Sequence, residues 1–319
     1  MKRKKSMVID LTYICNFTCN YCQWGDPKNE KRKNIELEKL LFEPKSLKRM
    51  DIKRVVFSGG EPLLHPDFKK IVDYYAKLVK EVVTITNGLL ISKTWIEDYA
   101  KIGGTGLTFS LDSMDEKISL ETRDLSTENL LKVVENIKKA SSAKNTGLID
   151  EIGLNVVISN ANCNLNDIKN TMEFAKNIGL DFVKFQPIFD DGYVSKNSSE
   201  LKLTKRNASE MRIIGKWVES NYTITTNTPD FWYTLAQLNE GKTLSGRTCG
   251  IDNYQSILMN GLTKFCYWVD DPVYGTFNNV LTEKSVKDSV SQFKIKKNKC
   301  ETGNHCFCLQ DMQHTWEVT

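Results

Sequence analysis

Between residues 7 and 187 the chain alternates short β-rich runs with helical patterns, and few folds accommodate that alternation. The strand-like runs are 7–13, 53–58, 82–87, 106–111, 152–159 and 182–187, each rich in β-branched and aromatic side chains. Helical periodicity fills 35–50, 67–80, 93–101, 127–143 and 166–178. Ser92, Ser126 and Asn164 stand where helix starts need a side-chain oxygen. Strands separated by helices pair in parallel, because a parallel connection requires a crossover. The expected class is therefore α/β, with a parallel sheet and helices on its outer face. In such folds reactive residues sit at the carboxyl ends of the strands.

After Pro187 the rhythm breaks. A polar stretch, 190–199, leads to helical segments at 204–220 and 229–239, and from about Arg247 the chain is loop-rich with five cysteines. This predicts three parts: residues 1–190, a helical connecting segment at 191–246, and a small cysteine-rich module at 247–319. A net charge of +4 is too small to argue for nucleic acid. Lys31-Arg32-Lys33 and the basic run at 294–299 read as solvated surface. No apolar run suits a membrane span, and the basic start lacks the apolar core of a signal peptide, so the expected location is cytoplasmic. Eight of the nine cysteines fall in two clusters. In a reducing compartment that pattern favours metal ligation over disulfides.

Cys15, Cys19 and Cys22 follow the first strand with spacing C-x3-C-x2-C. Three thiolates on one loop can hold three irons of a cubane and leave the fourth open. A zinc knuckle with a fourth ligand from elsewhere is the alternative on spacing alone. Four further motifs close later strands: Ser58-Gly59-Gly60-Glu61-Pro62, Thr86-Asn87-Gly88, Ser110-Leu111-Asp112-Ser113 and Lys184-Phe185-Gln186-Pro187. Arg123 lies in ETRDLSTENL, where its forked guanidinium suits a carboxylate or a surface loop equally.

Taken together, YICNFTCNYC and the motifs that follow resemble the radical S-adenosylmethionine (SAM) superfamily over roughly residues 7–190. The resemblance implies a partial (β/α)6 TIM-like barrel and a [4Fe–4S] cluster on Cys15, Cys19 and Cys22 that binds SAM. It implies that the Gly59-Gly60-Glu61 segment contacts the methionyl amino group, and that Thr86, Asn87, Ser110 and Asp112 line the pocket. It also implies that Arg123 binds the SAM carboxylate, Tyr21 lies beside the adenine, and Gln186 reaches the ribose or the substrate. The implied chemistry is reductive cleavage of SAM to a 5′-deoxyadenosyl radical that abstracts hydrogen. An electron donor such as flavodoxin or ferredoxin is the implied partner.

Cys249 and Cys266 are spaced C-x11-G-x4-C, with Gly261 in an expected hairpin turn. This is similar to the opening of SPASM and twitch extensions, and Cys300-x5-Cys306 fits part of a later run, from which the compressed Cys306-x-Cys308 departs. Too few cysteines remain for a full SPASM set, so the resemblance implies one auxiliary iron–sulfur cluster, zinc being the alternative. Cys163 follows the fifth strand and is a candidate hydrogen donor to a substrate radical, or else an apolar filler. His65 is expected to serve loop structure, and Asp190 and Asp191 a solvated turn. The expected substrate is a ribosomally made peptide, to be oxidised, crosslinked or epimerised. Oxidation or epimerisation of a sugar or aminocyclitol is the small-molecule alternative, and a non-catalytic zinc module a distant one.

Overall fold

A computed structural model of the chain describes residues 5–189, 196–221, 224–242, 255–265, 275–276, 282, 284–285, 288 and 291. The barrel elements are β1 (Ser6–Thr12), α1 (Leu37–Leu40), α2 (Pro44–Arg49), β2 (Arg54–Gly59), α3 (Phe68–Ala76), β3 (Glu81–Thr86) and α4 (Lys93–Lys101). They continue as β4 (Gly106–Ser110), α5 (Glu116–Arg123), α6 (Thr127–Asn145), β5 (Glu151–Ile158), α7 (Leu165–Asn177) and β6 (Phe182–Pro187). Helices α8 (Ala208–Ser220) and α9 (Pro229–Asn239) follow, then strands β7 (Gln255–Met259), β8 (Leu262–Lys264) and β9 (Gly275–Thr276).

One sheet runs in the order β6-β5-β4-β3-β2-β1-β7-β8-β9. Strands β1 to β6 are parallel throughout, the mostly parallel sheet of a partial TIM-like barrel. Helices cover it, so strand residues such as Ile9, Leu11, Val55, Phe57, Leu107, Phe109, Leu154 and Phe185 are fully buried. Each such side chain contributes roughly 1.5–3 kcal/mol by leaving water. At the amino ends of the strands Arg54 pairs with Glu81 at 3.2 Å and also with Glu151, tying β2, β3 and β5 together. That end supports the fold and leaves the opposite end for chemistry.

Two helices depart from the sequence reading. The helix expected over 35–50 is two short ones, because Pro44 cannot donate an amide and disfavours helical geometry at Glu43. Helix α5 went unread. Asp115 caps it by accepting from Ile118 N, and Asp124 ends it in a left-handed turn. The expected caps form: Ser92, Ser126 and Asn164 accept from Trp95, Asn129 and Asp167 amides.

The hairpin expected around Gly261 joins β7 to β8, with Asn260 and Gly261 both at positive φ as a two-residue turn requires. Strand β7 pairs in parallel with β1, so the barrel sheet continues into residues expected to form a separate module. Cys249, Cys266, Cys300, Cys306 and Cys308, with Asp190 and Asp191, lie outside the described residues. No helix among the described residues is long and apolar enough to cross a membrane.

At the β6 edge, residues 224–228 stand in for a further strand. Val183 donates its amide to Thr225 O at 2.9 Å. The Asn227 side chain accepts from Phe185 N at 2.8 Å and donates to Phe185 O at 3.0 Å, copying a strand's two bonds. Asn227 is fully buried, so losing its amide strands both Phe185 groups. Asn227→Ala should therefore lower unfolding stability by about 2–4 kcal/mol in urea titration, with each group costing about 1–3 kcal/mol.

Candidate functional site

The cysteine loop begins directly after β1, at the carboxyl end of the sheet, and neighbouring strand ends hold it from beneath. Gly60 N donates to Thr12 O at 2.6 Å and Glu61 N to Ile14 O at 2.8 Å. A Cβ on Gly59 would lie 2.2 Å from Thr12 O, and one on Gly60 2.2 Å from Ile14 O. Gly59 also has φ +125°, which side-chain-bearing residues rarely adopt. These glycines are therefore required by the approach of β2 to the cysteine loop. Gly25 serves the far end of the loop, where a Cβ would meet Cys19 N at 2.8 Å.

Glu61 is completely buried. Its carboxylate accepts from Thr86 Oγ1 at 2.9 Å, Asn87 N at 2.8 Å and Leu63 N at 3.2 Å. Burial pushes its pKa up to about 7, although those donors favour the charged form. The Glu61 carboxylate and Thr86 hydroxyl thus brace the ends of β2 and β3. Asn87 faces the cysteines: its Nδ2 donates to Asn16 Oδ1 at 2.7 Å and lies 3.9 Å from Cys15 Sγ.

On the other flank, Asp112 collects three donors. Arg123 Nη2 lies 2.8 Å from its Oδ1, Val157 N donates to the same oxygen at 2.9 Å, and Tyr21 OH donates to Oδ2 at 2.7 Å. Asp112 and Arg123 are both buried, and the guanidinium sits 5.8 Å from the Tyr21 ring centroid. Arg123 Nη1 reaches Cys19 Sγ at 3.9 Å. Burial works against the Arg123 charge, but Asp112, Tyr21 and Cys19 outweigh it and hold the group well above its ordinary pKa. The sequence left Arg123 open between a ligand-binding fork and a surface loop. It is neither exposed nor unpaired. Its Nε alone is buried with no hydrogen-bond partner.

The thiols differ in setting. Burial pushes Cys19 up to about 12, against the lowering by Arg123. Cys15 is also raised by burial, opposed by the Phe17 amide and further raised by Glu61 and Cys22. Such thiols stay protonated until a metal displaces the proton. Among the described residues no three His, Cys, Asp or Glu side chains are grouped to hold one metal ion. A cubane makes a different demand, since each thiolate takes its own iron. Three partly or wholly buried thiols on one braced loop, with donors on Cys15 and Cys19, fit that group.

Ser110 ends β4 opposite Asn155, and Gln186 lies in β6 opposite Val157, both half-buried at the same end of the sheet. Cys163 is different. It packs in the hydrophobic core, 4 % exposed, with its thiol pushed up to about 12 by burial and by Glu210. That setting favours the apolar-filler alternative over hydrogen donation. His65 meets its expectation: Nε2 bonds Ile35 O at 2.9 Å while Nδ1 accepts from Asp67 N at 3.1 Å.

Residues 9–152 match the model of the Radical SAM superfamily. The chain carries a radical SAM domain. The family implies a [4Fe–4S] cluster and SAM, and enzymatic activity. Over 114 residues the chain is 32% identical to GTP 3′,8-cyclase of Pasteurella multocida, covering 34% of each chain. It is 22% identical over 311 residues to a probable GTP 3′,8-cyclase of Methanococcus vannielii, covering 95% of this chain and 96% of that one. Among solved structures, anSMEcpe with bound AdoMet matches with TM-score 0.67 at 18% identity, covering 98% of this chain and 91% of that one. Streptococcus suis SuiB bound to precursor peptide SuiA matches with TM-score 0.66 at 16% identity, covering 92% and 66%. At these identities the structural matches speak to the radical SAM fold.

Sequence patterns did not mark Asn162, whose Nδ2 donates to Asp112 O at 2.9 Å and Val157 O at 2.8 Å, bridging two strand ends of the radical SAM barrel. Nor did they mark the stack of Tyr13 on Trp24 that closes the cysteine loop, with centroids 4.2 Å apart. Asp112→Asn removes the charge that neutralises buried Arg123. It should cost about 3–5 kcal/mol, read by chemical denaturation. Tyr21→Phe, which deletes one hydrogen bond to that carboxylate, should cost about 1.5–3 kcal/mol.

Proposed function

We propose that this chain is a radical SAM enzyme that modifies a ribosomally made peptide by oxidation, crosslinking or epimerisation. The observation that carries the radical step is the trio Cys15, Cys19 and Cys22 on a loop fastened to the ends of β2 and β3, to Asp112 just past β4, and to Arg123 of α5. In this reading the three thiolates hold three irons and leave the fourth for SAM. The chemistry supplied when cluster and SAM are bound is one-electron cleavage to methionine and a 5′-deoxyadenosyl radical, which takes hydrogen from a substrate carbon. A flavodoxin or ferredoxin supplies the electron.

The chain's own residues set the conditions. Asn87 and Arg123 place N–H donors beside two of the sulfurs, which tunes reducibility. Asp112 and Tyr21 keep Arg123 in place, while the segment Gly59-Gly60-Glu61, with Ser110 and Gln186, forms the SAM cradle. In the same reading residues 1–190 carry the radical chemistry and 191–246 connect to the cysteines beyond. Cys249 and Cys266, with ligands from Cys300, Cys306 and Cys308, would hold one auxiliary iron–sulfur cluster, which would supply an electron acceptor for a net oxidation. The peptide reading is supported by the spacing of those cysteines and by the similarity in fold to SuiB, solved with its precursor peptide. A second reading, radical cyclisation of a nucleotide, is favoured by the names of the curated relatives, one of which aligns along 95% of the chain.

Anaerobically reconstituted, reduced protein should convert SAM to 5′-deoxyadenosine, and replacing Cys15, Cys19 and Cys22 by Ala together should abolish this. Turnover that persists in the triple variant contradicts the assignment. A peptide encoded by a neighbouring gene should lose two hydrogens or gain one solvent deuterium by mass spectrometry. Consumption of GTP with the peptide left unchanged would move the function to the second reading.

A further inference from the structure

The basic run Lys31-Arg32-Lys33 reads from sequence as solvated surface, and Lys31 and Lys33 are indeed exposed. Arg32 is not. It turns inward, and its Nη2 donates to the Cys15 carbonyl at 2.6 Å. Its Nε is buried with no hydrogen-bond partner.

The segment that follows Arg32 is pinned along β1 and its end. Tyr13 N donates to Lys33 O at 2.9 Å, and Ile35 N to Leu11 O at 3.1 Å. Thr12 Oγ1 bonds Asn34 Oδ1 at 2.8 Å. These contacts deliver Arg32 to Cys15 independently of its own bond. Arg32 is half-buried, and its guanidinium is partnered by a neutral carbonyl. Among the described residues no carboxylate neutralises it, so the charge stays available to whatever negative group the loop carries.

We infer that Arg32 is a positioning residue for the cysteine loop: it grips the Cys15 main chain and so brings a positive charge to the residue that carries the first thiolate. The inference rests on the proposed function, since its object is the cluster those thiolates hold. Two consequences follow from one contact. The grip fixes the first ligand, so iron is retained more firmly. The charge favours the more negative, reduced state of the cluster and so raises its reduction potential.

The test uses the full chain, reconstituted anaerobically, as parent, Arg32→Gln and Arg32→Lys. Iron release to a chelator and the midpoint potential from an EPR-monitored titration are the readouts. Arg32→Gln should hold iron roughly 10–100-fold less well, as loss of a ligand-orienting partner typically does. Its midpoint should move to a more negative potential. Arg32→Lys keeps the charge without the fork, so its potential should return towards the parent's while iron retention stays impaired. Should Arg32→Gln fail to fold, Arg32→Lys decides alone, and iron retention equal to the parent's overturns the inference. Variants that match a cluster-loaded parent in both readouts overturn the role of Arg32 only. A parent that takes up no iron and sulfide overturns the proposed function along with it.

Discussion

A carboxylate taken out of water must find partners, and the Asp112 carboxylate finds them on three different parts of the chain. Arg123 comes from the end of α5, Tyr21 from the cysteine loop and Val157 N from β5. The desolvation cost of a buried ion pair is recovered only when the remaining hydrogen-bonding positions are filled. Here those of the carboxylate are filled by elements that must be correctly placed relative to one another. The same arginine then reaches Cys19 Sγ, so the geometry of the pair is passed to the thiol. The chemistry of the site depends on this electrostatic junction more than on any single strand.

A second constraint is steric and lies on the opposite flank. The ends of β2 and β1 come so close that a single Cβ at Gly59 or Gly60 would overlap backbone oxygen. Glu61 then fastens that junction to β3 through Thr86 and Asn87, and Asn87 in turn touches Cys15. The loop is thus held from both sides by side chains that are themselves hydrogen-bonded to the strand ends, which is how a reactive centre is preorganised.

Much of this was legible in the residues. The strands were, because parallel strands buried on both faces read as β-branched and aromatic runs. Helices at 93–101 and 229–239 were, because their apolar faces and their start signals coincide. The three cysteines declared themselves by spacing. What escaped notice depends on tertiary contacts or on weak local signals. The helix Glu116–Arg123 is highly polar, so its periodicity is faint, though Asp115 marks its start. Pro44 breaks the periodic run 35–50, because proline disfavours helical geometry at the residue before it. Nothing local separates Arg32 from its two lysine neighbours. Its inward turn depends on a carbonyl 17 residues earlier in the chain. Asn227 likewise serves a strand 42 residues away, which no short motif encodes.

The most direct test of the account is the EPR spectrum of the reduced, anaerobically reconstituted protein, recorded with and without SAM. The account requires a [4Fe–4S] signal that disappears when Cys15, Cys19 and Cys22 are removed and that changes when SAM is added, because one iron is open to it. Zinc in place of iron, or a cluster signal indifferent to SAM, would contradict it.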